Sequence, residues 1–547
     1  MNQIKIHLPF FRTLYSQSAS SLTIASIAAY LEKNGYRTEQ YLFDRSNLRT
    51  VGRFISKFSL IQCEIVIAKV NYQDHHIIIP LLEELKKRKY ANKVALCGPY
   101  AIQNFRSIMS THKLIDAVLV GQPEIAALEF VQYCTSSNEH CFKEFSFAYR
   151  SSDNEDLIID PLKIKKTIAL DDLPFPKRSV ELIEETTHVN LEASRGCHFN
   201  CSFCHHSKTN VNYRSPENVV KEIVYLNKVL GKTLFIFNDS CFWANPLDNE
   251  RILKIANGII REALDIRICI YLRIKPLIPI DVLEALVKAG LVRVFLGVES
   301  GINRIQHAFN KVTQNDDFIT ARNLFEKDFN LNVHIGFITI EHSSTIIEVE
   351  QNVDYLMQIE KLFRIGILVE PMRLIPNTAL FVRLLNEGII DRTLNYNEIT
   401  YGYRFMHCET SAFLLGIQEI FRLRLGREAY RFEYYSTVVG LLNVLTKKIL
   451  GELNFEIENH FQRVYTIRKQ GMLLIYNYLK YKISKFKIES SYVFSINDFE
   501  SIEFQKKFKQ LSIEIEIAYG FLVAEVERNG ASRAVKETYT GMEGIYA

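Results

Sequence analysis

The sequence predicts an α/β protein in three parts: a doubly wound, flavodoxin-like domain, a partial (β/α)6 barrel and an all-helical carboxyl-terminal domain. Residues 1–140 alternate strand-like and helix-like segments, which is typical of a parallel sheet covered on both faces. After a polar linker over residues 141–185, residues 186–385 hold six further strand–helix units, the sixth strand being predicted over Ile365–Met372. All 13 prolines fall at or before Pro376, and residues 386–547 space their apolar side chains at helical intervals.

The composition is that of a globular protein with more than one domain. The chain has 547 residues, of which 48% are hydrophobic and 23% are charged. A net charge of +4 is small for this length, so nucleic acid is not expected as a partner. We see neither a signal peptide nor an apolar run long enough to span a bilayer. Seven of the ten cysteines are scattered singly, as in a reducing compartment, so we expect a cytoplasmic enzyme with no membrane partner.

The first part offers candidate ligand positions where its strands end. Its first helix is predicted over Leu22–Lys33, before Gly35. Doubly wound sheets bind ligands at the carboxyl ends of their strands. Glycine at such an end lets the backbone approach a ligand, although it more often serves the turn itself. The candidate residues at these ends are Asn71, Tyr72, Gly98, Pro99, Gly121, Gln122 and Glu124.

Three cysteines lie close together at the start of the second part. Cys197, Cys201 and Cys204 are spaced C-x3-C-x2-C, just after a predicted strand. Three thiolates can hold three irons of a [4Fe–4S] cluster, which leaves the fourth iron without a protein ligand. An open iron indicates that something else binds there. The alternative is a structural zinc site, with His205 or His206 as the fourth ligand.

With Phe203 before its last cysteine, this motif resembles that of the radical S-adenosylmethionine (SAM) enzymes. In that family the open iron chelates SAM, and the reduced cluster cleaves SAM to a 5′-deoxyadenosyl radical. The resemblance therefore implies a [4Fe–4S] cluster held by Cys197, Cys201 and Cys204, with SAM beside it. It also implies an electron donor such as flavodoxin or ferredoxin.

Several strand ends of the second part resemble the SAM-binding positions of that family. Asp239 stands where an acid accepts hydrogen bonds from the SAM amino group, although it could instead cap the next turn. Arg273 could pair with the SAM carboxylate through its guanidinium fork. Glu299 lies in a Gly-x-Glu-Ser-Gly run and would bind SAM, with the ribose as the candidate contact. The residues expected to contact SAM are Phe203, Asp239, Arg273, Glu299, Ser300 and Gly336.

The order of the parts resembles class B radical SAM enzymes, in which a cobalamin-binding domain precedes the barrel. The stretch Cys97–Ala101 resembles the family's strand that ends in Gly-Pro-His-Ala, and Gly121–Glu124 resembles its Gly-Glu-Gly-Glu run. The resemblance implies that the seven candidate residues of the first part bind cobalamin. The Asp-x-His-x-x-Gly motif is missing from the sequence. A domain that keeps the fold and has lost the cofactor is therefore the alternative.

The resemblance implies a methyltransferase that uses methylcobalamin and the 5′-deoxyadenosyl radical. Its substrate would be an unactivated carbon of a small-molecule or peptide natural product, and no catalytic residue is assigned beyond the cofactor ligands. One alternative is a non-methylating radical rearrangement or cyclisation, and a zinc-stabilised binding or scaffold protein is another. In the carboxyl-terminal part, the basic and aromatic stretch Arg463–Lys487 could grip a substrate or form a solvated helix face.

Overall fold

The chain divides into two compact units. The computed structural model describes residues 5–12, 21–44, 63–72, 74–136, 145–150, 158–160, 167–178, 188–207, 209–391, 402–489 and 492–542. The first unit comprises Met1–Arg195, Asn212–Ile236 and Gly541–Ala547, and the second comprises Gly196–Val211 and Phe237–Thr540. The four-part division predicted above stays a prediction. No helix within the described ranges combines the length and apolar character needed to cross a membrane.

The first unit is built on a seven-stranded sheet. Its first five strands are parallel, as predicted, and its last two are antiparallel. The sequence did not predict the antiparallel pair, because both strands lie in the stretch interpreted as a polar linker, residues 141–185. In sheet order the strands are Arg37–Asp44, Lys5–Arg12, Cys63–Lys69, Ala91–Cys97, Ala117–Leu119, Phe147–Arg150 and Ile158–Ile159.

Both faces of this sheet carry an apolar core, which confirms the doubly wound fold. On the central strand, Ile65 and Ile67 pack into one buried cluster, and Val66 and Ala68 pack into the other. This alternation follows from the two-residue period of a strand. The helix predicted over Leu22–Lys33 has these bounds in the structure. The helices of this domain are Leu22–Lys33, His75–Lys87, Pro99–Gln103, Phe105–Thr111 and Pro123–Thr135.

A second group of elements in the first unit is tied together by a buried ion-pair triad. The strands His188–Leu191 and Leu234–Phe237 are neighbours in a sheet, and the helix Pro216–Lys228 precedes the second of them. Glu222 of this helix is fully buried and accepts hydrogen bonds from Arg178 Nη1 at 2.9 Å and from Arg214 Nη1 at 2.6 Å. A buried charge is stable only when it is paired in this way.

The barrel strands of the second unit are parallel neighbours. They are Arg267–Arg273, Leu291–Glu299 and Asn332–Phe337. The sixth predicted strand, over Ile365–Met372, is wrong, because Ile365–Val369 forms a helix. Its buried residues Ile365, Leu368 and Val369 recur at helical spacing. The helical segments around these strands are Pro246–Asp248, Asn249–Arg261, Ile280–Ala289, Asn303–Ala308, Asn315–Arg322, Asn323–Asp328, Ile346–Gln358 and Ile365–Val369.

The carboxyl-terminal part of the second unit is helical, as predicted. The longest helix, Phe455–Ile488, contains the basic stretch singled out in the sequence. Its Lys480 pairs with Glu350 at 2.7 Å and with Asp354 at 3.0 Å, so part of this stretch docks against the barrel helix Ile346–Gln358. The helical segments towards the carboxyl end are Ala379–Asn386, Cys408–Gln418, Glu419–Arg424, Gly426–Leu450, Phe455–Ile488, Phe499–Arg528 and Ser532–Met542. The first unit has one further short helical segment within its described residues, Leu170–Asp172.

Candidate functional site

The three clustered cysteines lie on one loop between the short strands Ser194–Cys197 and Thr209–Tyr213. All three are partly exposed. The loop starts at Gly196, whose φ is +101° and whose added Cβ would lie 2.2 Å from Asn210 O. No other residue fits there, because a Cβ cannot come so close to a carbonyl oxygen. The glycine therefore fixes how the chain enters the loop.

Backbone and ring contacts anchor this loop to the helix Asn303–Ala308 and its end. Ser202 N donates to Phe309 O at 3.1 Å, and Ser202 Oγ donates to Ala308 O at 2.8 Å. The Phe203 ring meets the Phe309 ring edge-on, with their centroids 5.0 Å apart. Phe203, which was predicted to contact SAM, thus anchors the loop in an apolar cluster. Its contact with SAM stays a prediction.

Arg273, at the end of its strand, reaches the cysteine loop. Its guanidinium carbon lies 4.0 Å from the Phe199 ring centroid, and its Nη1 lies 3.4 Å from Cys201 Sγ. Stacking on an aromatic face orients the planar fork and leaves its edges for hydrogen bonding. The structure therefore brings together a guanidinium and the thiol loop, as the resemblance implied.

The thiols share one electrostatic environment. Burial, together with the neighbouring Cys201 and Cys197 thiols, raises the pKa of Cys204 to about 11. Burial also raises the pKa of Cys197, while Arg273 and Lys311 act in the opposite direction. Iron binds thiolates, so the cluster must supply the charge that stabilises them. The thiols are thus placed near each other and near two cations.

Glu299 takes up an unusual backbone conformation at the end of its strand. Its φ is +68°, and the register with the neighbouring strand shifts between Gly297 and Glu299. An added Cβ on Gly297 would lie 2.6 Å from Glu299 Oε1, and one on Gly336 would lie 3.7 Å from Glu299 Oε2. The glycines leave room for this carboxylate. Left-handed backbone in a non-glycine residue is typical of functional sites.

Two further predicted SAM residues are buried. Asp239 is 1% exposed just after the strand Leu234–Phe237. Ser300 is also 1% exposed, and its hydroxyl lies 3.2 Å from Asn352 Oδ1 and accepts from Ile302 N at 3.2 Å. Ser300 therefore shapes the turn that follows Glu299. The contacts of both residues with SAM stay predictions.

The histidines after the cysteines do not form a zinc site with them. Burial lowers the pKa of His205 to about 4 and also lowers the pKa of His206, so both rings are in the neutral form that can bind a metal, and it is their placement that argues against a zinc site. Across the described ranges, no three His, Cys, Asp or Glu side chains gather closely enough to hold one metal ion. A [4Fe–4S] cluster is larger, and each of its thiolates binds a different iron.

The predicted glycines of the first unit are needed for the chain's own packing. An added Cβ on Gly98, whose φ is +97°, would lie 2.8 Å from Val70 O. An added Cβ on Gly121 would lie 2.6 Å from Ser146 Cβ. These contacts alone require glycine at both positions. Pro99 follows as the first residue of the helix Pro99–Gln103. Their contacts with cobalamin stay predictions.

Aromatic rings and the amide of Gln122 follow the carboxyl ends of strands in the same sheet. The His75 ring stacks on the Tyr100 ring at 3.9 Å, and the Tyr72 ring lies 5.5 Å from the Tyr100 ring. Gln122 Oε1 accepts from Ile168 N at 2.9 Å, while the buried Gln122 Nε2 has no partner among the described residues. These strand ends therefore offer ring faces and a hydrogen-bond donor to a ligand.

Two other predicted cobalamin residues are engaged within the protein. Asn71 N donates to Asp74 Oδ1 at 2.8 Å, which closes a turn before the helix His75–Lys87. Glu124 is fully buried and accepts from Arg195 Nη1 at 3.0 Å and from Arg195 Nη2 at 2.8 Å. No local pattern in the sequence predicts this long-range ion pair. It links the first sheet domain to the strand that leads into the cysteine loop.

Comparison with known families agrees with this geometry. Residues 191–356 match the model of the Radical SAM superfamily. The matched segment includes the cysteine loop, Asp239, Arg273, Glu299 and Gly336. The chain therefore contains a radical SAM domain, and the cofactors of such a domain are a [4Fe–4S] cluster and SAM.

Two curated relatives come from archaea. A protein of Methanocaldococcus jannaschii, provisionally named a methylthiotransferase, is 23% identical over 381 residues, or 66% of this chain and 77% of the relative. An uncharacterised methyltransferase of Pyrococcus horikoshii is 27% identical over 278 residues, or 49% of this chain and 58% of the relative.

Two solved structures share the fold. The cobalamin-dependent SAM radical enzyme OxsB, with aqua-cobalamin and SAM bound, matches with a TM-score of 0.67 at 15% identity, over 99% of this chain and 84% of OxsB. The radical SAM methyltransferase TsrM from Kitasatospora setae, with tryptophan and a SAM analogue bound, matches with a TM-score of 0.54 at 14% identity, over 70% of this chain and 76% of TsrM. Residues 191–356 thus form a radical SAM domain, and the chain shares the fold of OxsB and TsrM.

Proposed function

We propose that this protein is a cobalamin-dependent radical SAM methyltransferase that methylates an unactivated carbon of a small-molecule or peptide substrate. The proposal rests on the contact between Arg273 and the cysteine loop. Its Nη1 lies 3.4 Å from Cys201 Sγ, within the matched radical SAM segment. The methyltransferase names of the Pyrococcus relative and of TsrM support the choice of reaction.

Residues of the second unit would hold the [4Fe–4S] cluster and SAM. When bound, the cluster, SAM and cobalamin supply the radical and the methyl group. Cys197, Cys201 and Cys204 would hold three irons. Arg273, stacked on Phe199, presents guanidinium edges that suit the SAM carboxylate.

Glu299 and Asp239 are the acids suited to the donor groups of SAM. Lys311 holds the Glu299 carboxylate, which would accept a hydrogen bond from a ribose hydroxyl. Asp239 would accept from the SAM amino group. An ionised carboxylate accepts through both oxygens, so each acid can keep a protein partner while it binds a ligand.

The strand ends of the first unit fit a cobalamin. That cofactor carries amide side chains around a large ring. The carboxyl ends of the strands offer Gln122 Nε2 as a buried donor and the rings of Tyr72 and Tyr100 as apolar contacts. A buried donor without a partner is unfavourable unless a ligand or water satisfies it. OxsB, whose fold the chain shares, binds cobalamin in its solved structure.

The test uses the full-length protein, purified and reconstituted without oxygen, and SAM labelled in its methyl group. Reduced protein loaded with cobalamin is incubated with labelled SAM, and the cobalamin is then analysed by mass spectrometry. We expect the label on cobalamin and free 5′-deoxyadenosine in the same sample. Deoxyadenosine without labelled cobalamin would contradict methyl transfer and favour a rearrangement or cyclisation. Zinc without sulfide would contradict the whole assignment.

A further inference from the structure

A polar cavity lies at the amino end of the strand Asn332–Phe337, within the second unit. Its volume is about 170 Å³. The carboxyl-terminal helices Gly426–Leu450 and Phe455–Ile488 form one side of it, and the barrel forms the other. Glu299 and Arg273 lie at the opposite, carboxyl ends of the barrel strands. The cavity is therefore separate from the candidate SAM site.

Cations dominate the lining of this cavity, and most of them are paired. Lys361 Nζ donates to Glu326 Oε1 at 3.0 Å and to Val333 O at 3.0 Å. Arg322 Nε donates to Glu326 Oε2 at 2.7 Å. Arg364, which also lines the cavity, donates through Nε to Glu433 at 3.0 Å. These pairs leave their charges compensated.

Arg468 is different, because it makes no ion pair with a carboxylate in the described part of the chain. Its guanidinium lies 4.7 Å from the Tyr465 ring centroid and 5.1 Å from that of Phe363. Its Nη1 donates to Ser436 O at 3.3 Å, and its buried Nε finds no acceptor. Burial lowers the pKa of Arg468, while the Glu360 and Glu326 carboxylates, which also line the cavity, act in the opposite direction.

A second buried polar group faces the same space. Ser436 is 1% exposed, and its Oγ has no partner among the described residues, although the residue lines the cavity. Asn443 lines it as well, with Nδ2 donating to Tyr465 Oη at 3.0 Å. Buried polar atoms are nearly always hydrogen-bonded, so Arg468 Nε and the Ser436 hydroxyl suit a ligand that accepts from them, and Asn443 Oδ1, which also has no partner among the described residues, suits a hydroxyl on that ligand.

We propose that this cavity binds a small oxyanion of the phosphate or sulfate class, either free or as the end group of a larger ligand. An oxyanion accepts from both Arg468 Nε and the Ser436 hydroxyl, and its charge compensates the unpaired guanidinium. The size is suitable, because a protein cavity of about 150 Å³ admits a molecule as large as benzene. The inference does not depend on the proposed methyl transfer.

The test is calorimetric titration of the full-length protein with inorganic phosphate, at an ionic strength held constant with chloride. We expect saturable binding by the unmodified protein. Arg468→Met should weaken it at least about tenfold, because a hydrogen bond to a charged group is lost. Arg463→Met is the matched control, since Arg463 is exposed on the same helix. That control should bind phosphate like the unmodified protein.

A second variant with a smaller change tests the same phosphate site if Arg468→Met folds poorly. Ser436→Ala removes one hydroxyl and should weaken phosphate binding several-fold, with an unchanged circular dichroism spectrum. Phenyl phosphate distinguishes a free anion from the end group of a larger ligand. If the protein binds both phenyl phosphate and inorganic phosphate, the site accepts an end group. If it binds inorganic phosphate alone, the ligand is a free anion. Absence of saturable binding, or equal affinity in all the variants, would mean that water fills the cavity and would overturn the proposal.

Discussion

Lys311 Nζ lies 2.6 Å from Glu299 Oε1 and 2.9 Å from Gly297 O. Lys311 is 3% exposed, and Glu299 holds a φ of +68°. The buried lysine thus fixes a carboxylate whose backbone is already strained. We infer that Lys311 is a positioning residue for Glu299, although nothing in the sequence around it suggested such a role.

Replacing Lys311 with methionine tests this positioning. We expect Lys311→Met to weaken SAM binding about tenfold, because the carboxylate loses the partner that orients it. Equilibrium dialysis of SAM against the reconstituted protein measures the change. Lys288→Met, at an exposed position on the helix Ile280–Ala289, is the control and should bind SAM normally. A variant that loses thermal stability but keeps full SAM affinity would show that Lys311 has a structural role alone.

Arg273 provides a second prediction, which separates its charge from its shape. Arg273→Lys keeps the positive charge but loses the planar fork and the stacking on Phe199. We expect unchanged iron and sulfide content, with SAM affinity lowered about tenfold. Arg261→Lys, at an exposed position, is the matched control. Normal SAM affinity in Arg273→Lys would exclude a bidentate contact with the SAM carboxylate.

Gly196 tests the entry to the cysteine loop. An alanine Cβ there would overlap Asn210 O, so we expect Gly196→Ala to lose most of its iron and sulfide after reconstitution. Gly231→Ala is a matched control, because Gly231 also has a positive φ but has no atom within 4 Å of an added Cβ. It should cost about 1–2 kcal/mol of stability and keep its cluster. Equal iron content in the two variants would contradict the account of this loop.

The Glu124–Arg195 pair predicts a pH dependence of stability. Burial raises the pKa of Glu124, but Arg195 and the hydrogen bond from Ser26 together hold it below the ordinary value of 4.5. The folded state therefore binds fewer protons than the unfolded state near that pH. The stabilisation is present above about pH 4.5 and is lost as the pH falls through the folded pKa.

Glu124→Gln should destabilise the protein by about 2 kcal/mol near neutral pH, because Arg195 loses one of its two carboxylate partners and keeps Glu192. Thermal unfolding of both proteins from neutral to acidic pH measures this. The difference between them should shrink below about pH 4.5. A difference that stays constant with pH would contradict the ion pair. A loss of cobalamin affinity without a loss of stability would instead favour the contact implied by the family resemblance.

Local patterns made much of this fold predictable. The parallel strands of the first sheet and the helix Leu22–Lys33 follow from apolar periodicity and the glycine stop, and the structure confirms them. The prediction of a strand over Ile365–Met372 was wrong, because a short apolar run does not distinguish a strand from a buried helix.

The site was predictable where its residues form a motif. The cysteines and the Glu299 run stand out in the sequence, and the family match includes them. Lys311, Arg195 and Arg468 were missed, because their partners are distant in the chain and a single basic residue carries no local signal. Such contacts depend on how the elements pack, which periodicity does not report.

Cluster assembly and SAM cleavage in the Cys201→Ala variant test the central claim most directly. The unmodified protein, reconstituted without oxygen, should hold about four irons with matching sulfide and should release 5′-deoxyadenosine from SAM when it is reduced. Cys201→Ala should lose the cluster and the deoxyadenosine together, while Cys408→Ala, outside the loop, should keep both. Deoxyadenosine release by Cys201→Ala at the normal rate would contradict the account.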